Sequence, residues 1–310
     1  MKTRILTSAV ILSCSILILA LSGTIVMPVA MGLFAACAVF EFFRCVRLDS
    51  RPFIVIPAYI IASIMPVGAH FAKDMLDYFA ISCGVIFGYM LYLFGVAVFS
   101  HSKRSIFSHA DVATEEGGES TLSKEGISFG NVTLAVVGLF YIATSFTTIV
   151  LLRRHPIDGV LLNGGVYLFV LVFVIAWVTD VFAYLVGSFC GRHRLIPEVS
   201  PKKSVEGAVG GIFGALVGCL VVALVIHFFA DYEPNYPMFL LMGFVGSIIS
   251  QIGDLIASLI KREYGIKDYG NILPGHGGIL DRFDSILAVT TTVLLFSLIP
   301  GGGALLIFPS

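Results

Sequence analysis

The chain has 310 residues, of which 57% are hydrophobic and only 13% charged, and its mean hydropathy is +0.97. Soluble domains have about half apolar and a quarter charged residues, so this composition excludes an ordinary soluble protein. The net charge of -1 says little, because in a membrane protein the side on which charges lie matters more than their sum. The apolar runs have helix rather than barrel length, and they predict an all-α integral membrane protein.

Nine apolar runs follow one another and predict about nine transmembrane helices. Lys2 and Arg4 precede the first run as in a signal peptide, but the second run begins almost at once and no convincing cleavage site separates the two. We therefore expect the first run to be a retained helix. The runs lie at 5–22, 24–43, 53–71, 77–99, 131–152, 162–188, 207–230, 237–260 and 285–307.

The distribution of basic residues predicts the orientation. Nine spans place the termini on opposite faces, and with a cytoplasmic N-terminus sixteen of the nineteen Lys and Arg residues fall in cytoplasmic segments. Such a bias usually determines orientation. Lys73, Arg153 and Arg154 are the exceptions, and the sequence does not explain the arginine pair. We expect a multi-pass protein of the cell membrane with a cytoplasmic N-terminus.

A polar segment divides the chain into two unequal parts. Residues 101–130 are rich in Gly and Ser with an acidic centre, so they cannot bury enough apolar surface to fold alone and are predicted to be a cytoplasmic linker. Residues 1–100 form an N-terminal group of helices with few unusual polar residues. Nearly all such residues lie in 131–310, which is the predicted catalytic region.

Asp180 interrupts the sixth apolar run, where an ionisable group costs about 2.5–3.5 kcal/mol on insertion scales. Tyr184 and Gly187 follow at i+4 and i+7, so all three share one helix face. This face is predicted to line a ligand site, with a structural hydrogen bond between helices as the alternative.

Two stripes of small residues follow. The glycines at 207, 210, 211, 214 and 218 predict close helix packing, either inside the chain or in a homodimer. In the run 237–260 the small residues surround Asp254, which lies near Ser258 and the Lys261-Arg262 pair, and this favours a ligand site. Lys202 and Lys203 precede the first stripe; they suit an anion at a helix N-terminus or simply flank a membrane span.

The loop before the last run has the densest special chemistry. Residues 274–278, Pro-Gly-His-Gly-Gly, can expose backbone N–H groups and approach a phosphate closely. Four cations could neutralise a polyphosphate, and four carboxylates are hard oxygen ligands suited to Mg²⁺. A triphosphate carried on magnesium requires both sets. The cations are Lys261, Arg262, Lys267 and Arg282, and the acids are Asp254, Asp268, Asp281 and Asp284.

This region resembles the phosphatidate cytidylyltransferase (CDP-diacylglycerol synthase) family. The family signature S-x-x-K-R-x4-K-D-x-G-x2-L-P-x-H-G-G-x-x-D-R-x-D is met at all fourteen specified positions between Ser258 and Asp284. The stretches 180–187 and 200–207 also match, except that Ser204 stands where the family more often has Thr. The matching positions are Ser258, Lys261, Arg262, Lys267, Asp268, Gly270, Leu273, Pro274, His276, Gly277, Gly278, Asp281, Arg282 and Asp284.

The resemblance implies transfer of the cytidylyl group of CTP to phosphatidate, with release of pyrophosphate, at the cytoplasmic end of the C-terminal helices. It implies a Mg²⁺ ion, held by Asp254 and Asp281 with Asp284 and Asp180 as weaker candidates, and leaves open a second, monovalent ion. His276 is either an acid for the leaving group or a hydrogen-bond donor. The implied catalytic residues are Asp254, Asp281, Lys261 and His276, and the implied substrate-binding residues are Lys202, Lys203, Ser258, Arg262, Lys267, Asp268, Gly277, Gly278, Arg282, Asp180 and Tyr184.

Other functions fit the sequence less well. A transporter would also place acids in the membrane, but carriers commonly show two related halves, whereas the unusual residues here lie in one half. The D-G-x-x-A-R pattern of CDP-alcohol phosphotransferases and the P-loop of ATPases are both missing from the sequence. We expect CTP, phosphatidate and the lipid bilayer as partners, and no nucleic acid.

Overall fold

The computed structural model describes residues 17–108, 127–154, 164–229, 232–273, 275, 277–298 and 307–309. Most of the first predicted run lies outside the described residues, as does 109–126 of the predicted linker. His276, one of the predicted catalytic residues, also lies outside them.

Eight long helices make up most of the described chain. Seven of them, α1 to α7, are long and apolar enough to cross a membrane, which confirms a helical membrane protein for the part of the chain that is described. The total of nine spans and the cytoplasmic N-terminus stay predictions. The helices are α1 (Val26–Cys45), α2 (Pro52–Phe71), α3 (Met75–Ser108), α4 (Phe129–Arg154), α5 (Gly164–Cys190), α6 (Val205–Phe229), α7 (Tyr236–Glu263) and α8 (Leu280–Leu298).

The helix ends differ from the prediction in two places. Helix α3 continues through the first eight linker positions to Ser108, so the linker is not uniformly irregular. Helix α8 begins at Leu280 and carries Asp281, Arg282 and Asp284 within its first five residues, and it is not among the seven candidate spans. The start of α8 therefore belongs to the polar loop rather than to an apolar span.

Two small antiparallel sheets add to the helices and were missed by the all-α prediction. Strand β1 (Arg194–Ile196) pairs with β2 (Ser200–Ser204), and β3 (Tyr232–Pro234) pairs with β4 (Ile307–Pro309). Both sheets lie between or beyond the apolar helices, where a short strand need not satisfy all its backbone groups internally. Strand β2 contains Lys202 and Lys203, so the hairpin holds them at the start of α6.

The glycine stripe of α6 packs inside the chain, against α5. A Cβ atom on Gly210 would meet the side chain of Val186, and one on Gly211 would meet the backbone oxygen of Thr179 at 3.0 Å. Gly187 of α5 also faces α6, since its added Cβ would be 3.5 Å from the Cα of Gly207. Small residues therefore bring the two helices together at the end where the hairpin lies, and a homodimer stays a prediction.

Helix α4 joins the two parts of the molecule. It packs against α1, α2 and α3 on the N-terminal side and against α5 and α8 on the C-terminal side. Phe146 and Ile142 are fully buried within it, and the Phe146 ring lies 5.0 Å from that of Phe283 in α8. The N-terminal helices thus support the C-terminal region directly.

The arginine pair at the end of α4 has one structural explanation. The Arg153 guanidinium donates a hydrogen bond from Nε to Oγ of Ser22 at 2.9 Å. It thereby ties the end of α4 to the segment that leads into α1. This contact explains Arg153 without reference to orientation, while no contact described here explains Arg154.

Candidate functional site

A cavity of about 550 Å³ lies among α5, the β1–β2 hairpin, α6 and α7. We name it the polar cavity. Two stretches that are far apart in sequence, around residue 180 and around residue 203, meet there. Its lining includes Asp180, Tyr184, Gly187, Arg194, Lys202, Lys203, Gln251 and Asp254.

Asp254 forms the central ion pair of the polar cavity. Its Oδ2 lies 2.5 Å from Nζ of Lys203, and each side chain is 26% exposed. Its Oδ1 accepts a hydrogen bond from Ser258 Oγ at 3.4 Å. Because both partners remain partly open to the cavity, an incoming anion or cation can reach either of them.

Three carboxylates from three helices interact in and beside this cavity. Asp180 of α5 and Asp284 of α8 both lie within electrostatic range of Asp254 of α7. Asp180 accepts a hydrogen bond from Ser285 Oγ at 3.2 Å, and the Ser285 backbone N–H donates to Asp284 Oδ1 at 2.8 Å. Ser285 therefore links the two acids, and Arg282 supplies a positive charge near Asp180.

Within the described residues, no group of three or more His, Cys, Asp and Glu side chains is arranged to hold a metal ion. Magnesium commonly uses only one or two protein carboxylates and takes its other ligands from water and substrate phosphates. The acids around Asp254 and the neighbouring lysines fit that mode, since they supply hard oxygen ligands beside groups that attract phosphate.

A second set of predicted residues forms a closed cluster behind the loop. Asp281 Oδ1 lies 2.8 Å from Lys261 Nζ, and its Oδ2 accepts hydrogen bonds from the backbone N–H groups of Tyr269 at 2.8 Å and Gly278 at 3.0 Å. Asp281 is only 8% exposed. We name these four residues the loop cluster; its carboxylate, predicted as a metal ligand, has three partners within the protein.

The side chain of Tyr269 covers one side of the loop cluster. Its hydroxyl donates to the carbonyl oxygen of Ala257 at 3.1 Å, and Lys261 Nζ lies 5.2 Å from its ring centroid. Burial raises the pKa of the Tyr269 phenol, so the hydroxyl stays neutral and can keep donating. The ring thus covers the Lys261 ammonium.

The remaining predicted residues surround these two groups. Gly277 has a φ of +83°, which favours glycine, and its carbonyl accepts from Leu273 N at 3.0 Å, closing the turn. Arg262 donates to the carbonyl oxygens of Val199 at 3.4 Å and Ile266 at 3.2 Å, tying the loop to the hairpin turn. The exposed residues among this remaining set are Lys202, Arg262, Lys267, Asp268 and Arg282.

Two polar residues of the cavity, Gln251 and Arg194, are not predicted as site residues from the sequence. Gln251 donates from Nε2 to the carbonyl oxygen of Ala208 at 3.3 Å and to Ser247 Oγ at 3.4 Å. Since a carbonyl can only accept, this contact fixes the amide orientation and leaves Oε1 as an acceptor. Gln251 lies one helical turn before Asp254, and this spacing could have predicted it as a residue of the same site. Arg194 was counted only as a cytoplasmic charge, because nothing in the sequence places it in the cavity.

Glu41 is the most important residue near the site that is not predicted from the sequence. This acid of α1 is 1% exposed, and its carboxylate accepts hydrogen bonds from the backbone N–H groups of Ile279 at 3.0 Å and Leu280 at 2.8 Å. It therefore lies at the N-terminus of α8, beside the loop cluster. The signal was a single acid inside the apolar run 24–43.

Comparison with known proteins places the chain in a family. The cytidylyltransferase family model matches residues 2–299. Two proteins named phosphatidate cytidylyltransferase, from Staphylococcus haemolyticus (strain JCSC1435) and Staphylococcus aureus (strain COL), are each 34% identical over 168 residues, which is 54% of this chain and 60% of the relative. The aligned part thus covers about 60% of the length of these curated relatives. Since the family model covers nearly the whole chain, the protein belongs to the cytidylyltransferase family.

Proposed function

We propose that the protein transfers the cytidylyl group of CTP to phosphatidate, forming CDP-diacylglycerol and pyrophosphate. Membership of the cytidylyltransferase family supports a CTP-dependent reaction. The names of the relatives from two Staphylococcus species support phosphatidate as the acceptor. The observation that carries the proposal is the polar cavity, in which acids and lysines meet at the ends of apolar helices.

The charges of the cavity suit a triphosphate. Lys202 and Lys203 can pair with phosphate oxygens, and Arg194 lies on the same wall. When a phosphate gives Lys203 a new partner, the carboxylate of Asp254 is freed from its ion pair. One binding event therefore exposes both a cation for phosphate and an anion for a metal ion.

Magnesium, when bound, would neutralise phosphate charge and stabilise the leaving pyrophosphate. We propose Asp254 as its main ligand. Asp284 is the better placed second ligand, because it interacts electrostatically with Asp254. Asp281 already has three partners within the protein and so has little acceptor capacity left for a metal ion. A monovalent second ion stays a proposal that rests on the family resemblance alone.

The reaction needs no strong general base, because the phosphate of phosphatidate is already an anionic nucleophile. One of its oxygens attacks the α-phosphorus of CTP, and the bond from that phosphorus to the bridging oxygen breaks, so that both bonding electrons leave with pyrophosphate. The residues of this chain bring two anions together and hold the leaving group. We assign phosphate contacts to Lys202, Lys203, Arg282, Lys267 and the backbone of Gly277 and Gly278, positioning roles to Ser258, Tyr184 and Asp268, and a proton or hydrogen bond for the leaving group to His276.

The proposed site faces the cytoplasm, where CTP is found, and phosphatidate enters from the bilayer. Charge distribution supports this orientation, since the hairpin and the loop after α7 carry many of the cationic side chains. Tyr184 is 75% exposed and lines the cavity, so a lipid headgroup can reach Asp180 along this face.

The test uses purified protein in mixed micelles with phosphatidate, magnesium, and CTP labelled at either the α- or the γ-phosphate. Cytidylyl transfer puts the α label into lipid and the γ label into pyrophosphate. Transfer of the γ label to lipid would instead identify a CTP-dependent kinase, and no labelled lipid from folded protein would exclude both. Omitting magnesium, or replacing phosphatidate by diacylglycerol, should abolish the lipid-bound α label.

A further inference from the structure

The carboxylate of Glu41 has no role in the proposed chemistry, yet it lies against Gly270 and Gly278 in the loop between α7 and α8. It belongs to α1, in the N-terminal part of the chain, and is almost completely buried. Its hydrogen bonds come from the backbone N–H groups of Ile279 and Leu280, which open α8. The first N–H groups of a helix have no partner inside the helix and attract negative charge, so this acid caps α8 from another helix.

The loop is shaped to admit this carboxylate. A Cβ atom added to Gly270 or to Gly278 would collide with the carboxyl group of Glu41, and the Glu41 side chain supplies the three nearest atoms at both positions. Neither glycine has a positive φ, so the need for glycine arises from this close approach. One acid therefore contacts both ends of the loop segment 270–278.

The contacts of Glu41 lead directly to the loop cluster. Gly278 donates to Asp281, which also binds the N–H of Tyr269, the neighbour of Gly270. Asp281 in turn pairs with Lys261 of α7. Displacing the start of α8 would thus move Asp281, Arg282 and Asp284 relative to Asp254.

We infer that Glu41 is a positioning residue: its buried carboxylate caps α8 and holds Gly270 and Gly278 in the positions that triphosphate binding requires. This inference rests on the proposed function. Glu41 itself contacts backbone amides, so it acts through the loop and through α8. The N-terminal helices then contribute to catalysis through a specific polar contact as well as by packing.

The first experiment compares Glu41→Gln and Glu41→Asp with the control Val39→Ala. Val39 is a fully buried residue of the same helix. The glutamine keeps the shape but turns an NH₂ group toward one of the two N–H donors. We expect kcat/KM for CTP to fall about 10²-fold, the size typical of a displacement of roughly 1 Å near a reaction centre. Glu41→Asp should recover part of this loss. Val39→Ala should lower thermal stability while leaving KM for CTP unchanged.

A double-mutant cycle tests the contact itself. Gly270→Ala should reduce kcat/KM about 10²-fold in the parent, but less than about two-fold further in Glu41→Ala, because the colliding carboxyl group is gone. Gly88→Ala, at a helical glycine with open space around it, is the control and should be neutral in both backgrounds.

Two results would overturn the inference. One is a Gly270→Ala effect of equal size with and without Glu41; the other is a Glu41→Gln variant whose KM and kcat match the parent. Failure of the proposed function is separate, because it shows as a folded parent without product. In that case the thermal stabilities of the same four proteins in the cycle still decide whether the carboxyl group and the glycine interact.

Discussion

The polar cavity and the loop cluster contain the same residue types in different states. In the cavity, Asp254 has one lysine partner at 2.5 Å and stays partly exposed. In the loop cluster, Asp281 has a lysine and two backbone amides as partners and is nearly buried. An ionised carboxylate has about four acceptor positions, so Asp281 is almost saturated while Asp254 has capacity left.

This difference suits the two carboxylates to different roles, one in binding a substrate and the other in holding the loop. A group that binds a substrate must be able to change partners, and the open Lys203–Asp254 pair can do so. A group that holds a loop must keep its partners, and the buried Lys261–Asp281 pair is suited to that. The comparison predicts that substitutions in the cavity act on activity alone, whereas substitutions in the loop cluster act on stability as well.

The largest expected effect is that of Asp254→Asn. Removing this charge removes the main proposed magnesium ligand, and we expect activity to fall about 10³-fold, since metal binding supplies several kcal/mol of charge stabilisation. Thermal stability should change little, because the side chain is partly exposed and Lys203 can turn to solvent. The measurement is CDP-diacylglycerol formation beside a melting curve. A large loss of stability would show that Asp254 supports the fold as Asp281 does, and it would contradict the difference between the polar cavity and the loop cluster.

The sequence singled out Asp180, Tyr184 and Asp254, which line the polar cavity, because such residues are unusual in apolar helices; their roles stay predictions. An acid at membrane depth such as Asp180 must have a purpose, and its helical spacing to Tyr184 and Gly187 was enough to predict a shared face. The pattern could not show which acid has free coordination positions, because Asp254 and Asp281 differ only in partners from other segments.

The next largest effect is that of Asp281→Asn. It leaves the Lys261 ammonium buried without a counter-charge, which typically costs about 3–5 kcal/mol. We expect a lower melting temperature together with loss of activity. Adding Lys261→Met should restore most of the stability, since it removes the unpaired charge, but not the activity. Full activity in the restored double variant would show that neither residue takes part in the reaction.

The fold was predictable to the level of apolar helices, and the exceptions have physical causes. Short strands such as β2 depend on pairing with a neighbour rather than on a long pattern, so the hairpin that presents Lys202 and Lys203 could not be anticipated. Glu41 was visible as an anomaly in α1, but its partners lie more than 230 residues away in sequence. The sequence of one chain alone carries no information on such a contact.

A smaller effect is expected of Gly277→Ala, for which Gly265→Ala is the matched control. Both glycines have positive φ, at +83° and +69°, so alanine should destabilise either site by about 1–2 kcal/mol. Only Gly277 has a neighbour, since an added Cβ would lie 3.0 Å from Asp281 Oδ2. We expect about a ten-fold loss of activity from Gly277→Ala and little from Gly265→Ala. Equal losses would mean that backbone strain alone, not the contact with Asp281, matters.

The smallest effect should come from Tyr269→Phe, which tests how far the loop cluster depends on the Tyr269 hydroxyl. The change removes one hydrogen bond to the Ala257 carbonyl but keeps the ring over Lys261 and the backbone N–H that binds Asp281. A loss of about 1 kcal/mol in stability is expected, with activity within about two-fold of the parent. Tyr269→Ala, which also removes the ring, should lower both stability and activity further.

Since the Tyr269 phenol has a raised pKa, the parent and Tyr269→Phe should have the same pH profile of activity below about pH 9. A divergence of the two profiles there would assign the hydroxyl a part in proton transfer and move Tyr269 from the supporting group to the catalytic one.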